Sequence, residues 1–127
     1  MTGYPPHYEN MLTNTQIEDN RKKALRALTR AFVSGQPKVC GSFTRKDFDG
    51  KLECCATPLF AIALGIIPDL QTWHEARYTV ATDASKEVSR LLATPEEKIF
   101  TFSDHTMTFS DTECVLRAYW DMPKWAT

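Results

Sequence analysis

The stretch Thr57-Pro58-Leu59-Phe60-Ala61-Ile62-Ala63-Leu64-Gly65 constrains this chain more than any other part of it. Thr57 is a suitable helix N-cap, Pro58 suits a first helical position where its missing N–H is not needed, and Gly65 offers a left-handed stop. Between those signals the residues are apolar all round, and a helix without a polar face has to be surrounded by protein. It therefore belongs at the centre of the fold. The apolar run that contains it, residues 56–67, is roughly 12 residues long and holds a proline and a glycine, whereas a membrane-spanning helix needs about 20.

A buried helix needs a core around it, and 127 residues supply one ordinary core but not two. At 43% hydrophobic and 24% charged residues the composition is that of a globular chain, neither disordered nor fibrous. The expected organisation is an extended N-terminal arm over residues 1–13, where Pro5 and Pro6 stand among Tyr4, His7 and Tyr8, and a single globular domain over 14–127. The N-terminus has neither a basic region nor an apolar stretch and does not read as a secretory signal, so a soluble protein of the reducing cytoplasm is expected. Free thiols at Cys40, Cys54, Cys55 and Cys114 follow from that setting.

Local signals supply the covering elements. Thr15-Gln16-Ile17-Glu18 fits a capping box, and Ile17, Ala24, Leu25, Leu28, Ala31 and Phe32 recur at helical spacing up to Gly35. Residues 39–43 and 51–55 flank the turn pair Asp49-Gly50 and predict a β-hairpin. A broken helical pattern over 68–93 reads as one long bent helix or two shorter ones. The β-prone run Ile99-Phe100-Thr101-Phe102 is expected to join the hairpin as a third strand. Ser110-Asp111-Thr112-Glu113 is a second capping box and opens a last helix that Pro123 ends. The expected fold class is α+β: a small antiparallel sheet, hairpin plus one strand, packed with the central apolar helix and outer helices.

The formal charge of −1, from 15 basic and 16 acidic residues, provides no field to draw the chain onto nucleic acid or an anionic membrane. Basic residues do gather on the first helix, at Arg21, Lys22, Lys23, Arg26 and Arg30, with Lys22, Arg26 and Arg30 four apart in a line. That line is either an anion-binding face or a solvated face near the negative end of the helix dipole. Trp120 and Trp125 either cover the core or form an exposed anchor for a partner.

Nucleophilic chemistry has one plausible seat. Cys54 and Cys55 lead into the start of the central helix, where free N–H groups and the dipole favour a thiolate. His74 or His105 can serve as its base and Asp104 can orient that base, in the arrangement of a thiol hydrolase or transferase. The plainer reading makes the cysteines core residues and makes Ser103-Asp104-His105 an ordinary turn. There is no C-x-x-C or H-x-x-x-H spacing, so no metal site is expected, and no Gly-rich phosphate loop, so no cofactor is expected either.

A basic helix, Gly41-Ser42-Phe43, Asp49-Gly50, Cys55-Ala56 opening a small-residue helix, Ser103-Asp104, and Thr108-Phe109 before a final helix follow one another along the chain. In that order they resemble a group of small bacterial and phage proteins of undefined activity. Those carry a Cys-Ala-Leu-Gly-Ala helix opening, a downstream Asn-Asp and a Thr-x-x-Glu helix start. The resemblance spans residues 24–120, with Thr57-Pro58 in place of Leu-Gly and Ser103 in place of Asn. It implies a fold and a microbial or phage source, and no chemistry. The functional expectation is a non-catalytic binding or sequestering protein, a phage-borne inhibitor of a host protein or a binder of a small anionic ligand. On this reading the contacts fall to Arg21, Lys22, Arg26, Arg30, Trp120 and Trp125, and homodimers are a possible assembly. The alternative is the thiol-dependent enzyme.

Overall fold

The computed structural model describes residues 11–122. Six helices and a two-stranded antiparallel sheet make an α+β fold that is mostly helical. The N-terminal arm as far as residue 10, and Trp125 with its neighbours, lie outside the described residues.

Helix α1 runs Asn14–Ser34. Its N-cap is Thr13, which forms a capping box with Gln16, two residues ahead of the Thr15 box that the sequence suggests. Gly35 ends it in the left-handed conformation at φ 76° and donates its N–H to Ala31 and Phe32 carbonyls. The buried stripe is Ala24, Leu25, Leu28 and Ala31, while Phe32, expected inward, is half exposed.

The hairpin pairs β1, Thr44–Lys46, with β2, Leu52–Cys54, so the first strand begins later than residues 39–43. The turn dictates this. Asp47 Oδ1 accepts from the Asp49 and Lys51 amides and the Asp47 carbonyl accepts from Gly50 N–H, which places Lys46 opposite Leu52 and Thr44 opposite Cys54. Val39 lies on the other side of β2, where a single parallel bridge joins Lys38 to Cys54.

Helix α2, Ala56–Ala63, is the central helix and packs against α1, α3, α4 and α5. Ala56, Phe60 and Ala61 are fully buried, and burying Phe60 alone contributes roughly 1.5–3 kcal/mol before ordering costs. The N-cap is Cys55 instead of Thr57, and no side chain of the cap itself satisfies the helix start. That work falls to Ser103, which lies 47 residues away in sequence and accepts the Ala56 N–H.

The segment over 68–93 resolves into two helices, α3, Leu70–Glu75, capped by Asp69, and α4, Tyr78–Leu92. Trp73 on α3 is buried. The expected third strand is helix α5, Glu96–Asp104. Pro95 precedes it, Glu96 and Glu97 complement the dipole in its first turn, and the helix turns Ile99 and Ser103, four apart, into the core together. A strand would have set Phe100 and Phe102 together on the face opposite Ile99 and Ser103. Helix α6, Phe109–Tyr119, is capped by Thr108 rather than Ser110, which leaves Thr112 and Glu113 buried, the first bonded to the Thr106 hydroxyl and the second to Thr29 on α1.

Candidate functional site

Three segments meet around a cleft of about 210 Å³ lined by Gly41, Ser42, Phe43, Cys55, Phe100 and Asp104. The loop preceding β1 provides one wall, the start of α2 the floor, and the last two turns of α5 the other wall. Backbone bonds hold them in place. Cys55 N–H donates to the Phe43 carbonyl at 2.9 Å, and Gly41 N–H donates to Asp104 Oδ1 at 3.0 Å. The Phe43 ring is wedged edge-on between Trp73 at 5.2 Å and Phe100 at 5.6 Å between centroids. Gly41 sits at φ 82°, a conformation that a side chain would strain, and this aims its N–H at the carboxylate.

Lys38 anchors the same corner from behind. Its ammonium donates to the Ser103 carbonyl and, at 2.6 Å, to the Thr106 carbonyl, and it lies 3.4 Å from Cys40 Sγ. These carbonyls lie at and just beyond the end of α5, where the Thr106 hydroxyl also donates to that of Ser103, so the lysine acts as a remote C-cap.

Both thiols that lead into α2 are buried. Cys54 is fully buried, and burial, reinforced by the neighbouring Cys55, pushes it up to about 12. Cys55 is pushed up to about 11, chiefly by burial and further by the Asp104 carboxylate. The Thr57 N–H and hydroxyl oppose that rise, as does Lys38 to a smaller extent. The hydroxyl makes no well-aligned hydrogen bond, which leaves Thr57 Oγ1 buried and unpartnered among the described residues. A helix start does favour a thiolate, but here loss of solvent outweighs the dipole, and both groups stay protonated at neutral pH.

Of the acid–base candidates, the cleft brings together Cys55 and Asp104. His74 is half-buried on α3, with Nδ1 2.8 Å from Thr44 Oγ1, and does not line the cleft. His105 is exposed at the end of α5 and does not line it either. Among the described residues no group of three or more His, Cys, Asp or Glu side chains is placed to hold a metal ion, and no helix is long and apolar enough to cross a membrane.

The expected binding residues are dispersed. Arg21 is spent inside the fold: Nε donates to the Leu92 carbonyl at 2.9 Å, Nη2 to Ala93 at 3.2 Å, and the guanidinium lies 5.1 Å from the centroid of Trp120. Trp120 is buried, with its indole N–H donating to Thr94 Oγ1, so it covers the core and is not an exposed anchor. Lys22 is half-buried, whereas Arg26 and Arg30 are exposed. Arg30 borders a separate groove floored by Leu59, Ile62 and Ala63.

Phe100 and Lys38 had no local signal in the sequence, because both take their roles from contacts across the fold. Gly41 and Phe43 were visible only as part of a short motif. No family model, curated protein or solved structure matches the chain.

Proposed function

We propose that this protein acts by binding rather than by catalysis, as a binding or sequestering protein, and that the cleft between residues 41–43 and α5 is its ligand seat. The observation that carries this reading is the composition of the cleft wall. Its carboxylate, Asp104, and its rings, Phe43 and Phe100, are fixed by backbone bonds and packing, while neither His74 nor His105 lines it. A buried, protonated thiol with no imidazole beside it among the described residues is a poor nucleophile, whereas a preorganised concave site with one carboxylate and two aromatic rings is suited to recognition.

The test is a fragment screen on ¹⁵N-labelled protein. Shifts concentrated at Gly41, Ser42, Phe43, Phe100 and Asp104, and lost in Phe100→Ala, are expected. Shifts confined to other surfaces would remove the cleft as the seat. Alkylation of Cys55 in the folded protein at neutral pH, at or above the rate of a model thiol, would favour the thiol enzyme instead.

A further inference from the structure

Resting on that binding reading, we propose that the group this cleft takes is a small alkyl cation, an ammonium or guanidinium on a short apolar stem. Its charge would stand against Asp104 and its stem against the sides of Phe43 and Phe100 that line the cleft.

Size comes first. A cavity of about 210 Å³ lies below the roughly 300–1,000 Å³ of sites that enclose drug-sized ligands and matches a fragment or a single side chain. Two of the six lining residues are phenylalanines whose rings meet edge to face, and they offer apolar surface to a stem and ring faces that attract a cation.

Charge decides the head group. One Asp104 oxygen is held by Gly41 N–H, and the other has no hydrogen-bond partner among the described residues. A donor cation completes that oxygen with a charge-assisted bond, whereas an anion would face it directly. The nearby ammonium of Lys38 keeps its charge, but its donors are directed to the Ser103 and Thr106 carbonyls and toward the Cys40 sulfur, and it does not line the cleft. At the Cys55 sulfur the effect of Asp104 also exceeds that of Lys38. The anionic ligand expected from the basic helix is therefore not the one this cleft favours.

The experiment compares four probes with the same stem, n-butylguanidinium, n-butylammonium, n-butanol and butyrate, by NMR titration of the intact protein. The two cations should bind about tenfold or more tightly than butanol, and butyrate should bind least. Asp104→Asn, which keeps an oxygen for Gly41 N–H, should reduce the cations to the level of butanol, and Phe100→Ala should weaken every probe. A blocked tripeptide with central arginine forms a further arm. Binding at least as tight as butylguanidinium identifies a partner protein's side chain as the source of the cation, and exclusion of the peptide with retention of the free probe identifies a small molecule. Equal binding of butanol or butyrate in the cleft would overturn the cation while leaving the binding reading intact. If none of the four probes perturbs the cleft, both fall.

Discussion

Ser103 Oγ accepts a 3.0 Å hydrogen bond from the Ala56 backbone N–H in a fully buried contact that ties the end of α5 to the start of α2. It takes the place of the missing N-cap side chain, and it positions Asp104, the next residue, on the cleft. Ser103→Ala leaves that N–H buried and unpaired, so it should cost about 1–3 kcal/mol, read as a lower urea midpoint with an unchanged slope. Ser42→Ala, on the exposed rim of the same cleft, should stay within about 0.5 kcal/mol. Equal midpoints for the two variants would show that the contact does not cap α2.

Glu113 on α6 is buried against α1, accepting from the Thr29 hydroxyl at 2.6 Å and from Arg117 Nε and Nη2 at 2.8 and 2.7 Å. Arg117 Nη1 is buried with no hydrogen-bond partner among the described residues. Removing only the acid strands a buried charge, so Glu113→Ala should destabilise by about 3–5 kcal/mol. The double variant Glu113→Leu/Arg117→Met should be clearly milder. A thermodynamic cycle over the parent, Glu113→Leu, Arg117→Met and the double variant checks this, and additive losses would contradict it.

The thiols predict a reactivity pattern and a pH dependence. Cys40 and Cys114 are exposed and should react with iodoacetamide in the folded state, while Cys54 and Cys55 should react only on unfolding. Their folded values are raised from 9.0 to about 12 and about 11, so above pH 9 the unfolded chain loses protons that the folded chain keeps. Stability is therefore full below pH 9 and falls as pH rises toward 11–12. The loss is up to roughly 1.4 kcal/mol per pH unit for each thiol. Chemical denaturation between pH 8 and 10.5 should show this slope, and Cys55→Ala should make it shallower. An unchanged slope in that variant would assign the alkaline loss to other groups.

Arg21 and Arg26 share α1 but not a role. Arg21 caps the end of α4 and lies over Trp120, so Arg21→Ala should lower stability by about 1–2 kcal/mol. Arg26→Ala and Arg30→Ala remove exposed charges and should fall within about 0.5 kcal/mol of the parent in thermal unfolding. A loss at Arg26 matching that at Arg21 would show that the exposed line is also part of the scaffold.

Much of the fold was legible in the residues themselves. The apolar run in α2 could only be central, Gly35 stops α1, and Asp49-Gly50 marks the hairpin turn. Caps were displaced because Thr13 and Thr15, Thr108 and Ser110, are chemically equivalent candidates, and packing of the helix face selects between them. Ile99-Phe100-Thr101-Phe102 is too short for periodicity to separate strand from helix, and the shape of the core made it helical.

What the sequence determined by itself was therefore local: which segments are apolar, where chains of hydrogen bonds must stop, and that a hairpin and a buried helix have to be accommodated. Tertiary structure decided the site. Asp104 meets Gly41, Lys38 meets the carbonyls of Ser103 and Thr106, and Phe43 meets Phe100 across more than half the described chain. It also decided the state of the thiols. The amide groups at a helix start are a local property that favours ionisation, but the solvent removed from Cys54 and Cys55 depends on every element packed around them, and desolvation is the larger effect.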